Sequence, residues 1–86
     1  MGDYFERADE RKRDIKRYKV ISEHYRDNPG RVAVNHDYIT DIMIEVLDLH
    51  RNFRIGSDEE ISNIMNNFGI RKIVGDEREV RFSFRK

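Results

Sequence analysis

The stretch SDEEISNIMNNFGIRKIVGDEREVRFSF, residues 57–84, decides the fold. Ser57 followed by Glu60 is a capping box, in which each side chain satisfies the other's backbone N–H, so a helix starts here. Ile61, Ile64, Met65 and Phe68 then recur at i, i+3, i+4 and i+7, which gives that helix one apolar face. Gly69 ends it, because glycine accepts the left-handed conformation of a residue just past a helix. Beyond Gly69 the period changes from helical to two. Ile70 to Val74 make one strand and Glu79 to Arg85 another. In the second, Val80, Phe82 and Phe84 alternate with Glu79, Arg81, Ser83 and Arg85, so one face is buried and the other wet. Gly75-Asp76-Glu77-Arg78 joins the strands as a hairpin loop.

Upstream, residues 4–27 read as a helix whose apolar stripe is Ile15, Tyr18, Ile21 and Tyr25. Before Ile15 the stripe thins to Tyr4, Phe5 and Ala8. Residues 1–13 are therefore a charged extension that projects or frays, and residues 14–86 form a single domain. Asn28-Pro29-Gly30 stops the helix, since proline has no amide hydrogen to donate. Arg31-Val32-Ala33-Val34 is β-branched and reads as a short strand. Asn35 or Asp37 caps the next helix, which buries Ile39, Ile42, Met43 and Val46 with Leu47 or Leu49 and ends near His50. From the connection RNFRIG, Phe53 and Ile55 plug the core.

Composition excludes much. Of 86 residues, 37% are hydrophobic and 40% charged, and none is cysteine. A disulfide framework is ruled out, and any metal needs His or carboxylate ligands. His24, His36 and His50 include no i, i+4 pair, so no metal or cofactor is expected. No apolar run approaches the roughly 18 residues of a membrane span. The start MGDYFE is too charged for a secretory signal, and Glu6 stands where myristoylation wants Ser or Thr. A cytoplasmic protein is expected. There is no cysteine nucleophile and no glycine-rich phosphate loop, so the chain is not read as an enzyme.

The net charge of zero hides an uneven distribution. Residues 1–31 carry nine basic and seven acidic side chains, residues 36–60 two and seven, and residues 69–86 six and three. Both ends are basic and the middle acidic, so a surface for a polyanion must use the ends.

The order helix, strand, helix, helix, strand, strand, with a C-terminal β-hairpin, resembles the winged-helix (winged helix-turn-helix) family, an α+β fold. The resemblance covers roughly residues 14–86 and is carried by residues 59–84. Similar endings occur in small replication proteins of phages and plasmids. The resemblance implies a small prokaryotic or viral DNA-binding protein, in transcription regulation or replication, with a recognition helix over 58–68 and a wing. On that helix Ser62, Asn63, Asn66 and Asn67 lie outside the apolar face, and asparagine suits adenine edges. Arg71, Lys72, Arg78, Arg81 and Arg85 are offered to phosphates by the wing, and Arg11, Lys12, Lys16 and Arg17 by the first helix. Six phosphate contacts imply a log–log salt slope near −5, from about −0.9 per contact.

Against this stand Asp58, Glu59 and Glu60 at the start of the reading helix, which repel phosphates or simply complement the helix N-terminus. The alternative is a protein-interaction module, such as a viral inhibitor of a host protein. There Asp37, Asp41, Glu45 and Asp48, spaced to share a face of the second helix, dock a basic partner or mimic a row of phosphates. The plain reading of that ridge is a solvated face, or a match to the basic first helix. A homodimer through the first helix, with Tyr4, Phe5 and Ala8 in its seam, fits either reading. Phe82 and Phe84 are expected to fill the core rather than stack on bases.

Overall fold

Pro29 and Ser57 divide the chain into three helices, and Gly69 turns it into a hairpin. The computed structural model describes residues 2–75 and 79–85, with side chains from residue 9 onward. Helix α1 spans Gly2–Asp27, α2 His36–Phe53 and α3 Asp58–Asn67, followed by strands β1, Ile70–Val74, and β2, Arg81–Phe84. The fold is α+β, with three helices and a two-stranded antiparallel sheet.

On α1, Ile15, Tyr18 and Tyr25 are buried, as the stripe requires, and Ser22 joins them. The helix continues back to Gly2, well beyond its buried stripe. At ~1.5 Å per residue it is roughly 39 Å long, and the molecule reaches 47 Å along its longest axis. One contact steadies the exposed half: the Arg11 guanidinium sits 3.7 Å above the Phe53 ring centre. That contact corrects the role expected of Phe53. Helix α2 runs on to include it, and the ring stays 41% exposed instead of plugging the core. Ile55 does pack against the core.

The strand expected over Arg31–Val34 does not form. Pro29–Arg31 is a single 3-10 turn, and turns carry the chain on to Asn35. The Asn35 amide donates back to Arg31 and Val32 carbonyls, and its side chain also donates to the Arg31 carbonyl. These local bonds satisfy backbone groups that a strand would have to pair across a sheet. Only Val32 reaches the core, while Val34 is 86% exposed. β-Branching favoured a strand, but no neighbouring strand was in place to pair with it. Asn35 stands at the start of α2 without capping it through its side chain.

Between α2 and α3, Arg54 takes a left-handed conformation, which costs a non-glycine residue roughly 1–2 kcal/mol. His50 ties this turn together. Its Nδ1 lies 3.2 Å from the carbonyls of Ile55 and Gly56, and its Nε2 2.8 Å from Asp58 Oδ1. It thus bridges two helices, beyond the dipole role its position at a helix end suggests. The capping box at Ser57 forms in both directions.

The core lies between the three helices and the hairpin, with Ile39, Met43, Val46, Ile64, Phe68 and Ile70 almost wholly enclosed. Val80 shares a cleft with Ile44 and Leu47, while the Phe84 ring lies 4.2 Å from that of His36. Strand β1 pairs with β2 as Ile70 with Phe84, Lys72 with Ser83, Ile73 with Phe82 and Val74 with Arg81. The irregularity between Ile70 and Lys72 leaves Arg71 as an extra residue.

Candidate nucleic-acid interface

Cross-strand partners in a sheet share a face. Because Phe82 is buried, its partner Ile73 also faces inward, and the alternate pairs, Lys72 with Ser83 and Val74 with Arg81, face out. Arg85 continues the outward row of β2. Its amide donates to the Gly69 carbonyl at 2.7 Å, which holds the end of the chain beside the start of β1. Arg71, the extra residue, is exposed. The hairpin thus brings four of the expected cations, Arg71, Lys72, Arg81 and Arg85, into solvent on one small sheet. Arg81 meets Glu79 at 3.5 Å with both side chains 77% exposed. Such an exposed pair holds its partners weakly. Arg78, the fifth, lies outside the described residues, as does the rest of the loop at 76–78.

Helix α3 presents Ser62, Asn63 and Asn66 to solvent. Arg85 Nη2 donates to Asn66 Oδ1 at 3.5 Å, so the hairpin and the exposed row of α3 form one surface. Asn67 does not belong to it. Its Nδ2 donates to the buried Ser22 Oγ at 3.1 Å, and Ser22 in turn donates to the Lys19 carbonyl at 2.6 Å. Asn67 is a latch between α1 and α3 and not an outward reader. Helical spacing placed it beside Asn63 and Asn66, but α1 covers that side of α3.

Two of the three acidic residues at the start of α3 have structural work. Asp58 faces His50, and Glu60 completes the capping box. Glu59 is exposed and makes no ion pair among the described residues.

The four cations expected of the first helix divide in two. Arg11 covers Phe53, and Arg17 reaches Asp14 at 3.5 Å and the Tyr18 hydroxyl at 3.3 Å. Lys12 and Lys16 are exposed, without ion pairs among the described residues. The side chains of Tyr4, Phe5 and Ala8, the expected dimer seam, lie outside the described residues.

Asp37, Asp41, Glu45 and Asp48 all lie exposed on α2. Glu45 accepts a hydrogen bond from Tyr18 and Asp48 one from Asn52. The ridge is thus partly matched to α1, through Tyr18. Burial, and then the hydrogen bond to Glu45, push the Tyr18 hydroxyl above its ordinary pKa of 10.0. Asp37 and Asp41 have no ion pair among the described residues.

Sequence reading missed a groove of about 310 Å³ where the end of α1, the turn after it, the end of α3 and the end of β2 meet. Arg26, Asn66 and Arg85 line it above Tyr25, Val32 and Phe68. Arg26 carried no local signal, because its neighbours here are distant in the chain.

Among the described residues no three His, Asp or Glu side chains converge to hold a metal ion, and no helix is long and apolar enough to cross a membrane. No family model, curated protein or solved structure matches this chain.

Proposed function

We propose that this is a winged-helix-type domain that binds duplex DNA through the hairpin, with limited base reading from α3, in a regulatory or replication-accessory role and without catalysis. One observation carries the reading: Arg71, Lys72, Arg81 and Arg85 are all exposed on the hairpin, and none is held by a carboxylate from another element among the described residues. Cations this exposed, with only the open pair to Glu79 and the long bond to Asn66 to displace, are available to phosphates, which dominate affinity for nucleic acid. Asn63 and Asn66 lie beside them and supply the paired donor and acceptor that an adenine edge accepts. Asp58 and Glu60 have roles in the fold, yet the Asp58 side chain stays 99% exposed, so Asp58 and Glu59 both oppose a phosphate at the start of α3 and the hairpin has to supply the attraction. Of the first-helix cations, Lys12 and Lys16 are the ones available to extend the contact.

Four hairpin contacts give a log–log salt slope near −3.6, at about −0.9 per phosphate. The test is a duplex titration at several salt concentrations with wild type and with Lys72, Arg81 and Arg85 replaced by Gln. The variant is expected to bind more weakly to every duplex and with a shallower slope, whereas Asn63→Ala changes sequence preference. Wild-type affinity insensitive to salt, or a triple variant equal to wild type, refutes the proposal.

A second reading is favoured by a different surface. Tyr38 is 50% exposed and Val34 86% exposed beside Asp37 and Asp41. An apolar pair flanked by unpaired carboxylates suits a basic protein partner. Charge reversal at Asp37 and Asp41 would then abolish a protein complex and leave duplex binding unchanged or stronger.

A further inference from the structure

The groove beyond the hairpin has a composition that suits the same ligand. It is walled by Arg26 and Arg85 with Asn66, and no carboxylate among the described residues lines it. Arg26 Nε lies 3.2 Å from Asp27 Oδ1, in an ion pair whose side chains are 56% and 66% exposed. A pair so open to water yields readily to a competing anion. The groove is continuous with the proposed interface, because Arg85 and Asn66 belong to both. Arg85 is held toward Asn66, whose side-chain oxygen it occupies, and the Asn66 amide nitrogen has no acceptor among the described residues. Two guanidinium groups and an amide donor from three separate elements thus surround one depression. Tyr25, Val32 and Phe68 give it an apolar lining beside these donors.

We infer that this groove receives a backbone phosphate of the duplex, which extends the contact from the hairpin across to the C-terminal end of α1. Arg26 is the residue peculiar to this site, since Arg85 and Asn66 also serve the hairpin face. The inference rests on the nucleic-acid reading above and adds a contact that neither the wing nor α3 supplies. Arg26 acts as a positioning and neutralising group for phosphate and carries no base information.

The experiment compares R26Q with R13Q in titrations of a fluorescein-labelled DNA duplex over a range of salt. Arg13 is exposed on α1, and at ~1.5 Å rise per residue it lies about 20 Å along the helix from Arg26. Both variants lose one charge, so they separate a local contact from net charge. R26Q is expected to reduce the steepness of the salt slope by about 0.9, equally for duplexes of different sequence. R13Q is expected to keep the wild-type slope, and both are expected to melt at the wild-type temperature. Equal slope changes in R26Q and R13Q, or no change in R26Q, overturn the inference while the hairpin reading stands. Wild type that binds no duplex removes both.

Discussion

The Ser22–Asn67 contact makes the sharpest prediction, because it decides whether Asn67 holds the fold or reads a base. Ser22 is fully buried, and its hydroxyl donates to Lys19 and accepts from Asn67. Asn67→Ala removes the donor and leaves a buried oxygen lone pair unmatched. A net hydrogen bond contributes ~0.5–1.5 kcal/mol, and an orphaned buried group costs about 1–3 kcal/mol. Better helix propensity of alanine at the end of α3 offsets roughly half a kcal/mol, so the expected loss is about 1 kcal/mol. Ser22→Ala removes the buried oxygen itself and leaves Asn67 only half-buried, where water can take its donor. Its loss is expected to be smaller. The double variant should then be no worse than Asn67→Ala alone, with a coupling energy of roughly 0.5–1.5 kcal/mol. Urea unfolding of the four proteins measures this, and each kcal/mol also moves the melting temperature of a domain this size by about 4–8 °C. Duplex preference should be unchanged in Asn67→Ala. Additive stabilities, or a changed base preference at wild-type stability, would refute the latch and return Asn67 to the reading face.

Ser57→Ala removes the hydroxyl that accepts from the Glu60 amide, while the Ser57 amide still donates to the Glu60 carboxylate; it is expected to cost about 1 kcal/mol, seen as a lower midpoint in urea. Gly75→Ala is expected to disrupt the hairpin and abolish duplex binding while helical circular dichroism persists, since Gly75 has φ of +100° and an added Cβ would lie 1.9 Å from the Glu79 carbonyl oxygen. Gly69→Ala has open space around its Cβ and should cost only the roughly 1–2 kcal/mol of a left-handed non-glycine residue; equal losses at the two glycines would contradict this. Tyr18 holds its proton more tightly folded than unfolded, through burial first and the bond to Glu45 second. Its contribution is therefore complete below its unfolded pKa of about 10 and lost as pH rises through the higher folded value. Urea midpoints on the alkaline side should fall less steeply in Tyr18→Phe than in wild type, and parallel curves would exclude the mechanism.

Local chemistry in the sequence was enough to determine the three helices, the break at Pro29, the start at Ser57, the reversal at Gly69 and the hairpin with Phe82 inward. Each depends on residues within about one turn of one another, or on a period read along a single segment. What tertiary structure alone decided is where unrelated segments meet. Arg31–Val34 had the composition of a strand, yet without a strand beside it the chain turned on its own backbone bonds. Asn67 shared a helical face with Asn63 and Asn66 until α1 placed Ser22 against it. Arg11 and Arg17 counted as free cations until Phe53, Asp14 and Tyr18 engaged them. Arg26, unremarkable among its neighbours in sequence, shares a groove with Arg85 because α1 ends where β2 ends. Propensity and capping act over a few residues, whereas which face is covered depends on packing between segments far apart in the chain.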